Sequence, residues 1–211
     1  MNLLEHILHH KIVAIIRGAA PESLPRIIDA LAAGGVRSLE ITLNSPQALR
    51  GIEHAAACAE GKLVVGAGTV LDAQSARSAL LAGAQFIVSP SFDAGCVEMT
   101  KKYGALSIPG AMTPTEILAA YTAGGDIIKV FPASALGPTF FRELAGPLPH
   151  IPLMPTGGVD LDNIAGYAAA GAKAFGLGSA LVNTREPIDE KSLQALTQRA
   201  RDFLSAVAEK A

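Results

Sequence analysis

The sequence predicts an α/β fold: a (β/α)8 TIM barrel with a short extra N-terminal helix, occupying residues 1–211 as a single domain. Three observations predict it. Eight short apolar runs recur roughly every 20–26 residues, enough for one strand, one helix and two short loops. Four helical patterns end on the same glycine-containing signature, a repeat at every second unit. The composition is 50% hydrophobic but only 5% aromatic and 17% charged, which suits a Val/Ile/Leu/Ala core of parallel strands buried on both faces.

The runs are Ile12–Ile16, Val36–Leu43, Leu63–Gly66, Phe86–Val88, Ala105–Ile108, Ile127–Phe131, Ile151–Met154 and Ala172–Leu177. Ahead of the first, Met1–Leu8 is only partly apolar, because Glu5 and His6 interrupt it. It is too short for a signal core and reads as an amphipathic helix. Ala- and Leu-rich helical patterns separate the runs. Ser45-Pro46 looks like an N-cap with proline at the first helical position. Thr113-Pro114-Thr115-Glu116 adds a capping-box glutamate to the same arrangement.

Ala33-Gly34-Gly35, Ala82-Gly83-Ala84, Ala123-Gly124-Gly125 and Ala170-Gly171-Ala172 stand before runs two, four, six and eight. Glycine just past a helix supplies the left-handed residue that stops it and turns the chain into the sheet. An even repeat over eight βα units favours a closed barrel over an open sheet. The open alternative, flavodoxin-like or Rossmann, lacks its GxGxxG after the first strand, where Arg17-Gly18-Ala19-Ala20 stands instead.

A net charge of −2 gives no electrostatic reason to expect nucleic acid or an anionic membrane as partner. The stretch around Ser78–Phe92 is broken by Gly83, Gln85 and Pro90, so no membrane span is expected. Cys58 and Cys96 form no CxxC pair and read as reduced thiols of a cytoplasmic protein. His6, His9 and His10 crowd one short helix without matching carboxylates, which favours a solvated face over a metal site. No metal and no cofactor is expected.

Charges inside the apolar runs are the informative anomalies. Lys129 falls within Ile127-Ile128-Lys129-Val130-Phe131-Pro132. Desolvation lowers a lysine pKa, and a neutral amine attacks carbonyls. The bland alternative is a structural lysine paired with a core carboxylate. Glu40 repeats the anomaly in Leu39-Glu40-Ile41-Thr42-Leu43. Alternation sets Ser38, Glu40 and Thr42 on one face and the apolar residues on the other, so Glu40 points into the barrel. The two form either an ion pair or the nucleophile and proton shuttle of imine chemistry. Arg17 shares the parity of Val13 and Ile15 at the end of strand one and reads as an anion-binding group or a rim salt bridge.

Glycine-rich segments end three strands: Gly66-Ala67-Gly68-Thr69, Pro155-Thr156-Gly157-Gly158 and Gly176-Leu177-Gly178-Ser179. Such loops after strands seven and eight of a barrel, leading into helix N-termini, form a phosphate site. Ser179 would add a donor.

Together these motifs resemble the 2-keto-3-deoxy-6-phosphogluconate and 2-keto-3-deoxy-6-phosphogalactonate aldolases, class I enzymes, over roughly Ile12 to Val182. The carriers are Ile12–Gly18, Leu39–Pro46, Gly66–Val70, Ser89-Pro90, Ile108-Pro109-Gly110, Ile128–Ala133, Pro155–Gly158 and Gly178-Ser179. The resemblance implies a Schiff base between Lys129 and the C2 ketone, with proton transfer by Glu40. Cleavage would yield pyruvate and glyceraldehyde 3-phosphate. It further implies Thr69 at the substrate carboxylate, Pro90 and Phe131 as walls of the pyruvate pocket, and Thr156 near the hydroxyl-bearing carbons. Gly157, Gly158 and Ser179 would lie at the phosphate, with Gly178 beside them, and the assembly would be a homotrimer.

Gluconate-type members place an arginine where this chain has Asn44. Galactonate-type members have Leu-Asn-Ser-Pro and an arginine closing strand one, which Arg17 supplies. Thr42 and Thr156 lean the other way, so the pattern is mixed. Two other functions share the glycine loops: a phosphate-binding isomerase or epimerase, and a non-catalytic sensor of a phosphorylated sugar acid. Neither needs a neutral amine in the core.

Overall fold

The computed structural model describes residues 1–208. Helix α1 (Leu3–His10) opens on a capping box in which the Asn2 side chain accepts from the Glu5 amide and the Glu5 carboxylate accepts from the Asn2 amide. It is the expected extra helix. Strand β1 (Ile12–Ile16) follows, then α2 (Leu24–Ala33), β2 (Ser38–Thr42), α3 (Ala48–Cys58), β3 (Val64–Gly68), α4 (Ala73–Leu81), β4 (Phe86–Val88) and α5 (Ala94–Lys102). The second half runs β5 (Leu106–Ile108), β6 (Gly110–Ala111), α6 (Pro114–Thr122), β7 (Ile128–Val130), α7 (Gly137–Leu144), β8 (Leu153–Pro155), α8 (Ile164–Ala169), β9 (Phe175–Leu177) and α9 (Glu190–Ala208).

All strand pairs are parallel. They form a six-stranded sheet, β5-β4-β3-β2-β1-β9, and a three-stranded one, β6-β7-β8. Eight expected strands are thus nine, in two sheets. The difference lies at Pro109, which has no N–H to donate to a ladder: the fifth run ends as β5, and β6 is an additional two-residue strand beyond the proline. The sheets remain laced there: the Lys129 amide donates to Pro109 O (2.9 Å) and the Asp126 amide to Ser107 O (2.8 Å). At the other margin Thr156 bridges Gly176, and the Lys173 amide donates to Leu153 O (2.9 Å).

Alternate strand residues enter different apolar clusters. Ala14, Leu39, Ile41, Ala67, Ile128 and Val130 pack with the helices. Val13, Phe86, Val88, Leu106, Ile108, Ile127, Met154 and Ala174 meet on the opposite, concave face, together with Ile7 of α1. Helix α1 therefore covers one end of that inner core. A Cβ on Gly66 would overlap the Phe86 ring, so the glycine in β3 makes room for the bulkiest inner side chain.

The helix endings follow the sequence signal. Gly35, Gly83, Gly124 and Gly171 have φ of 96°, 105°, 107° and 97°. In each case the next amide reaches back over the last turn, as from Val36 to Leu31 O (3.0 Å). A fifth copy precedes β5, where Gly104 (φ 73°) and the Ala105 amide to Thr100 O (3.1 Å) repeat the geometry. Tyr103 stands there in place of alanine and hides it from a pattern search. The Thr113–Glu116 capping box forms. The expected Ser45-Pro46 cap does not: α3 starts at Ala48 behind Gln47 (φ 52°), with no side-chain cap, because Ser45 is engaged elsewhere. Among the described residues no helix is long and apolar enough to cross a membrane, and both cysteines are free.

Candidate active site

Strand β2 sets the first group. Because Leu39 and Ile41 face the helices, Ser38, Glu40 and Thr42 face inward, all at most 1% exposed. The Glu40 carboxyl lies against β3, where a Cβ on Gly68 would overlap it. Glu40 Oε2 is buried without a hydrogen-bond partner. Burial pushes this carboxyl above its ordinary pKa, while the charges of Lys129 and Arg17 pull it back down.

Lys129 comes from β7, in register with Gly110 and Met154, and is 5% exposed. Burial lowers the pKa of its ammonium, Glu40 opposes that shift, and Arg17 adds to it. The Phe131 ring centroid lies 4.8 Å from Nζ, a contact that favours the charged form. The ion pairs of the described residues are surface ones, such as Lys62–Asp29 and Lys101–Asp126. None joins Lys129 to Glu40 within 4.0 Å. A lysine kept in the core as half of a tight ion pair is therefore not what the geometry shows.

Arg17, just beyond β1, is exposed, and its Nη1 donates to Asn44 Oδ1 at 2.7 Å. The backbone beneath it is tied from two sides. The Gly18 amide donates to Ser45 Oγ (2.8 Å), which shares a hydrogen bond with buried Thr42 Oγ1 (3.0 Å). From the loop after β9, Thr184 Oγ1 donates to Arg17 O. The rim salt bridge that sequence allowed for Arg17 is absent among the described residues, and an amide partner takes its place.

Thr69, directly after β3, sits at φ 57°. For a β-branched residue this conformation costs on the order of 1–3 kcal/mol. Half-buried Pro90 follows β4, and a Cβ on Gly110 would overlap its carbonyl group, which explains the glycine of Ile108-Pro109-Gly110. Phe131, 37% exposed, roofs the amine and leans toward Gly157, where a Cβ would come within 3.1 Å of the ring.

Thr156 is 3% exposed, and Gly176 lacks the Cβ that would overlap it. Gly157 (φ 85°) and Gly158 (φ 76°) are consecutive left-handed residues. Their amides donate to no other group among the described residues. Gly178 is open and Ser179 exposed. One expectation is corrected here: these loops do not run straight into helix N-termini, since α8 starts only at Ile164 and α9 at Glu190. They curl into single turns, closed by Ile164 N to Asp160 O and Val182 N to Gly178 O (both 2.9 Å). Successive glycine amides, rather than a helix dipole, are what these loops would offer an anion.

Sequence reading missed the supports. Ser134 packs against Gly158, its amide donating to Gly157 O (3.0 Å), and Asn163 Nδ2 donates to Gly158 O (2.8 Å). Among the described residues no trio of His, Cys, Asp or Glu is placed to hold a metal ion. Size does not locate the site either. Surface grooves of ≈ 550 and ≈ 570 Å³ lie between α3 and α4 and beside His6 and Arg37, and neither is lined by Lys129, Glu40 or the Gly157-Gly158 amides.

A core amine whose protonation is disfavoured is of little structural use but can react with a ketone or aldehyde, and the fold sets open glycine amides at the same strand ends. Fold and site thus define an α/β enzyme of carbonyl chemistry. The chain matches the aldolase family described as KDPG and KHG aldolase over residues 4–199, and it belongs to that family. A Rhizobium meliloti (strain 1021) protein named "Probable 2-dehydro-3-deoxy-6-phosphogalactonate aldolase" is 39% identical over 171 residues, 81% of each chain. The 2-dehydro-3-deoxy-phosphogluconate aldolase of Pseudomonas aeruginosa is 35% identical over 86% of this chain and 82% of that one. A solved structure described as native KDPGal superposes with a TM-score of 0.88 at 32% identity, covering 94% of this chain and 95% of that one.

Proposed function

We propose that this family member is a class I aldolase that reversibly cleaves a 2-keto-3-deoxy-6-phospho sugar acid to pyruvate and glyceraldehyde 3-phosphate, with Lys129 as nucleophile. The observation that carries the reading is a lysine 5% exposed, without an ion pair among the described residues and with its pKa lowered by burial. Its neutral amine adds to the C2 ketone, and the carbinolamine loses water to give an iminium. Glu40 moves the protons, supplying one to the departing hydroxyl and taking one from the C4 hydroxyl. The C3–C4 bonding pair then flows into the iminium, glyceraldehyde 3-phosphate leaves, and an enamine of pyruvate remains. Protonation at C3 and hydrolysis release pyruvate and free the amine.

The substrate is read as lying from Arg17 and Thr69, at its carboxylate, to Gly157, Gly158, Gly178 and Ser179, at its phosphate. Pro90 and Phe131 flank the pyruvate carbons and Thr156 the hydroxyl-bearing ones. Galactonate and gluconate forms differ by one hydroxyl configuration, worth about 0.5–1.5 kcal/mol as a single contact. We therefore read the enzyme as accepting both, with a modest lean to the galactonate form that Arg17 and Asn44 favour. The two sheets are read as one (β/α)8 barrel closed across Pro109 and the Thr156–Gly176 bridge, a single domain. On the family resemblance it is read as a homotrimer. The free thiols fit the cytoplasm.

The test is a cleavage assay on both phosphorylated epimers, with pyruvate and glyceraldehyde 3-phosphate measured separately. Equimolar release of the two products is expected. Conversion of either acid to an isomer without C3–C4 cleavage would replace this reading with the isomerase or epimerase one.

Gly158→Val is expected to raise KM for phosphorylated substrates at least tenfold and to leave the reaction with free pyruvate within about twofold. The new Cβ would meet Ser134 Cβ at 2.5 Å, on a backbone at φ 76°, and would close the amide cradle. Equal damage to both substrates would move the phosphate site elsewhere.

A further inference from the structure

From the contacts around Arg17 we infer that Asn44 is a positioning residue: it holds the Arg17 guanidinium over the mouth of the site, working from a backbone that Ser45 and Thr184 pin in place. The inference rests on the proposed role of Arg17 at the substrate carboxylate.

Arginine is a long, exposed side chain, and left alone it samples many rotamers at an entropic cost to any ligand that must fix it. Here both ends are held. The head donates from Nη1 to Asn44 Oδ1 at 2.7 Å. At the base, Ser45 Oγ receives the Gly18 amide at 2.8 Å and is itself fixed by a 3.0 Å hydrogen bond with Thr42 Oγ1, a residue with no exposed surface. Thr184 closes the other side through Arg17 O. Thr42 is two residues beyond Glu40 on the same inward face of β2. The clamp thus ties the guanidinium to the strand that presents the carboxyl acid.

Asn44 suits this task better than a charged residue. An aspartate would neutralise the guanidinium that is to meet a carboxylate, and an arginine would repel it. A neutral amide oxygen orients the cation and leaves its charge, and its remaining N–H groups, for the ligand. The same charge acts on the nucleophile. The charged groups that act on Lys129 are Glu40 and Arg17, and Arg17 lowers its pKa. A guanidinium released from Asn44 would spend less time near the amine, so the amine would hold its proton to higher pH.

The experiment compares Asn44→Leu, Arg17→Ala and the double variant, reading KM for the keto acid and the pH dependence of borohydride trapping with pyruvate. Asn44→Leu should raise KM about fivefold, the scale of one exposed charged contact, with kcat within twofold. It should move the acid limb of trapping to higher pH. Asn44→Asp, which keeps the acceptor but neutralises the guanidinium, should leave the limb above the wild-type position. In the Arg17→Ala background, Asn44→Leu should change neither quantity by more than twofold.

Full loss on top of Arg17→Ala would overturn the inference, because Asn44 would then touch substrate itself. So would an Asn44→Leu variant with unchanged KM and limb. If Arg17→Ala leaves KM unchanged while Asn44→Leu still moves the limb, the clamp stands, and it is the carboxylate role of Arg17 that fails.

Discussion

Borohydride reduction in the presence of pyruvate is expected to leave one adduct per chain, on Lys129, and Lys129→Arg to leave none. Arginine keeps its proton at any accessible pH and cannot supply the neutral nucleophile. Losing a covalent catalyst of this kind lowers kcat on the order of 10⁴–10⁶-fold. A larger and permanently charged guanidinium at a position where burial already disfavours the ammonium should also lower the melting temperature, so circular dichroism is read alongside to show that the variant is folded. Peptide mapping by mass spectrometry reads the position. An adduct on another lysine, or persistent trapping in Lys129→Arg, would refute the assignment. The trapping rate should also rise with pH through a value below that of an ordinary lysine, because burial disfavours the ammonium.

The second large effect belongs to Glu40. Glu40→Gln keeps the shape and removes the exchangeable proton, so kcat should fall on the order of 10²–10⁴-fold, with binding at the phosphate end unchanged. Stability should move the other way. Burial raises the folded-state pKa of Glu40 above its unfolded value. Its protonated form therefore stabilises the fold fully below the unfolded pKa, and that contribution is lost as pH rises through the folded pKa. Glutamine does not ionise. At neutral pH the variant should melt no lower than the wild-type protein, and any advantage should vanish once the medium is acid enough to protonate the carboxyl in both states. A folded variant with near-normal turnover would make Glu40 structural.

Lys129 and Glu40 were legible in the sequence because strand alternation is a local rule: a charge flanked by residues of helix-facing parity must point inward. The glycine helix ends were legible for the same reason. The additional strand β6 depends on what β7 offers beyond Pro109, which the local sequence does not state. Nor could spacing show that Arg17 and Asn44, 27 positions apart, form one hydrogen bond. Ser45 misled because its hydroxyl is a competent helix cap, yet the Gly18 amide and Thr42 claim it first. Ser134 gave no signal at all, since a serine after a strand is unremarkable until Gly158 is placed beside it.

The inner glycines also impose an order of events on descent. Gly68 is matched to Glu40, Gly66 to Phe86 and Gly176 to Thr156, each by the volume that a single Cβ would occupy. A lineage can shrink the larger partner first and then enlarge the smaller, but the reverse order passes through an overpacked core costing about 1–3 kcal/mol. For Gly68 the permitted order starts by giving up the acid itself. With Glu40 in its proposed role, descendants that keep the reaction are held to glycine at a position assigned no part in the chemistry, and the first route to alanine there would run through an inactive ancestor.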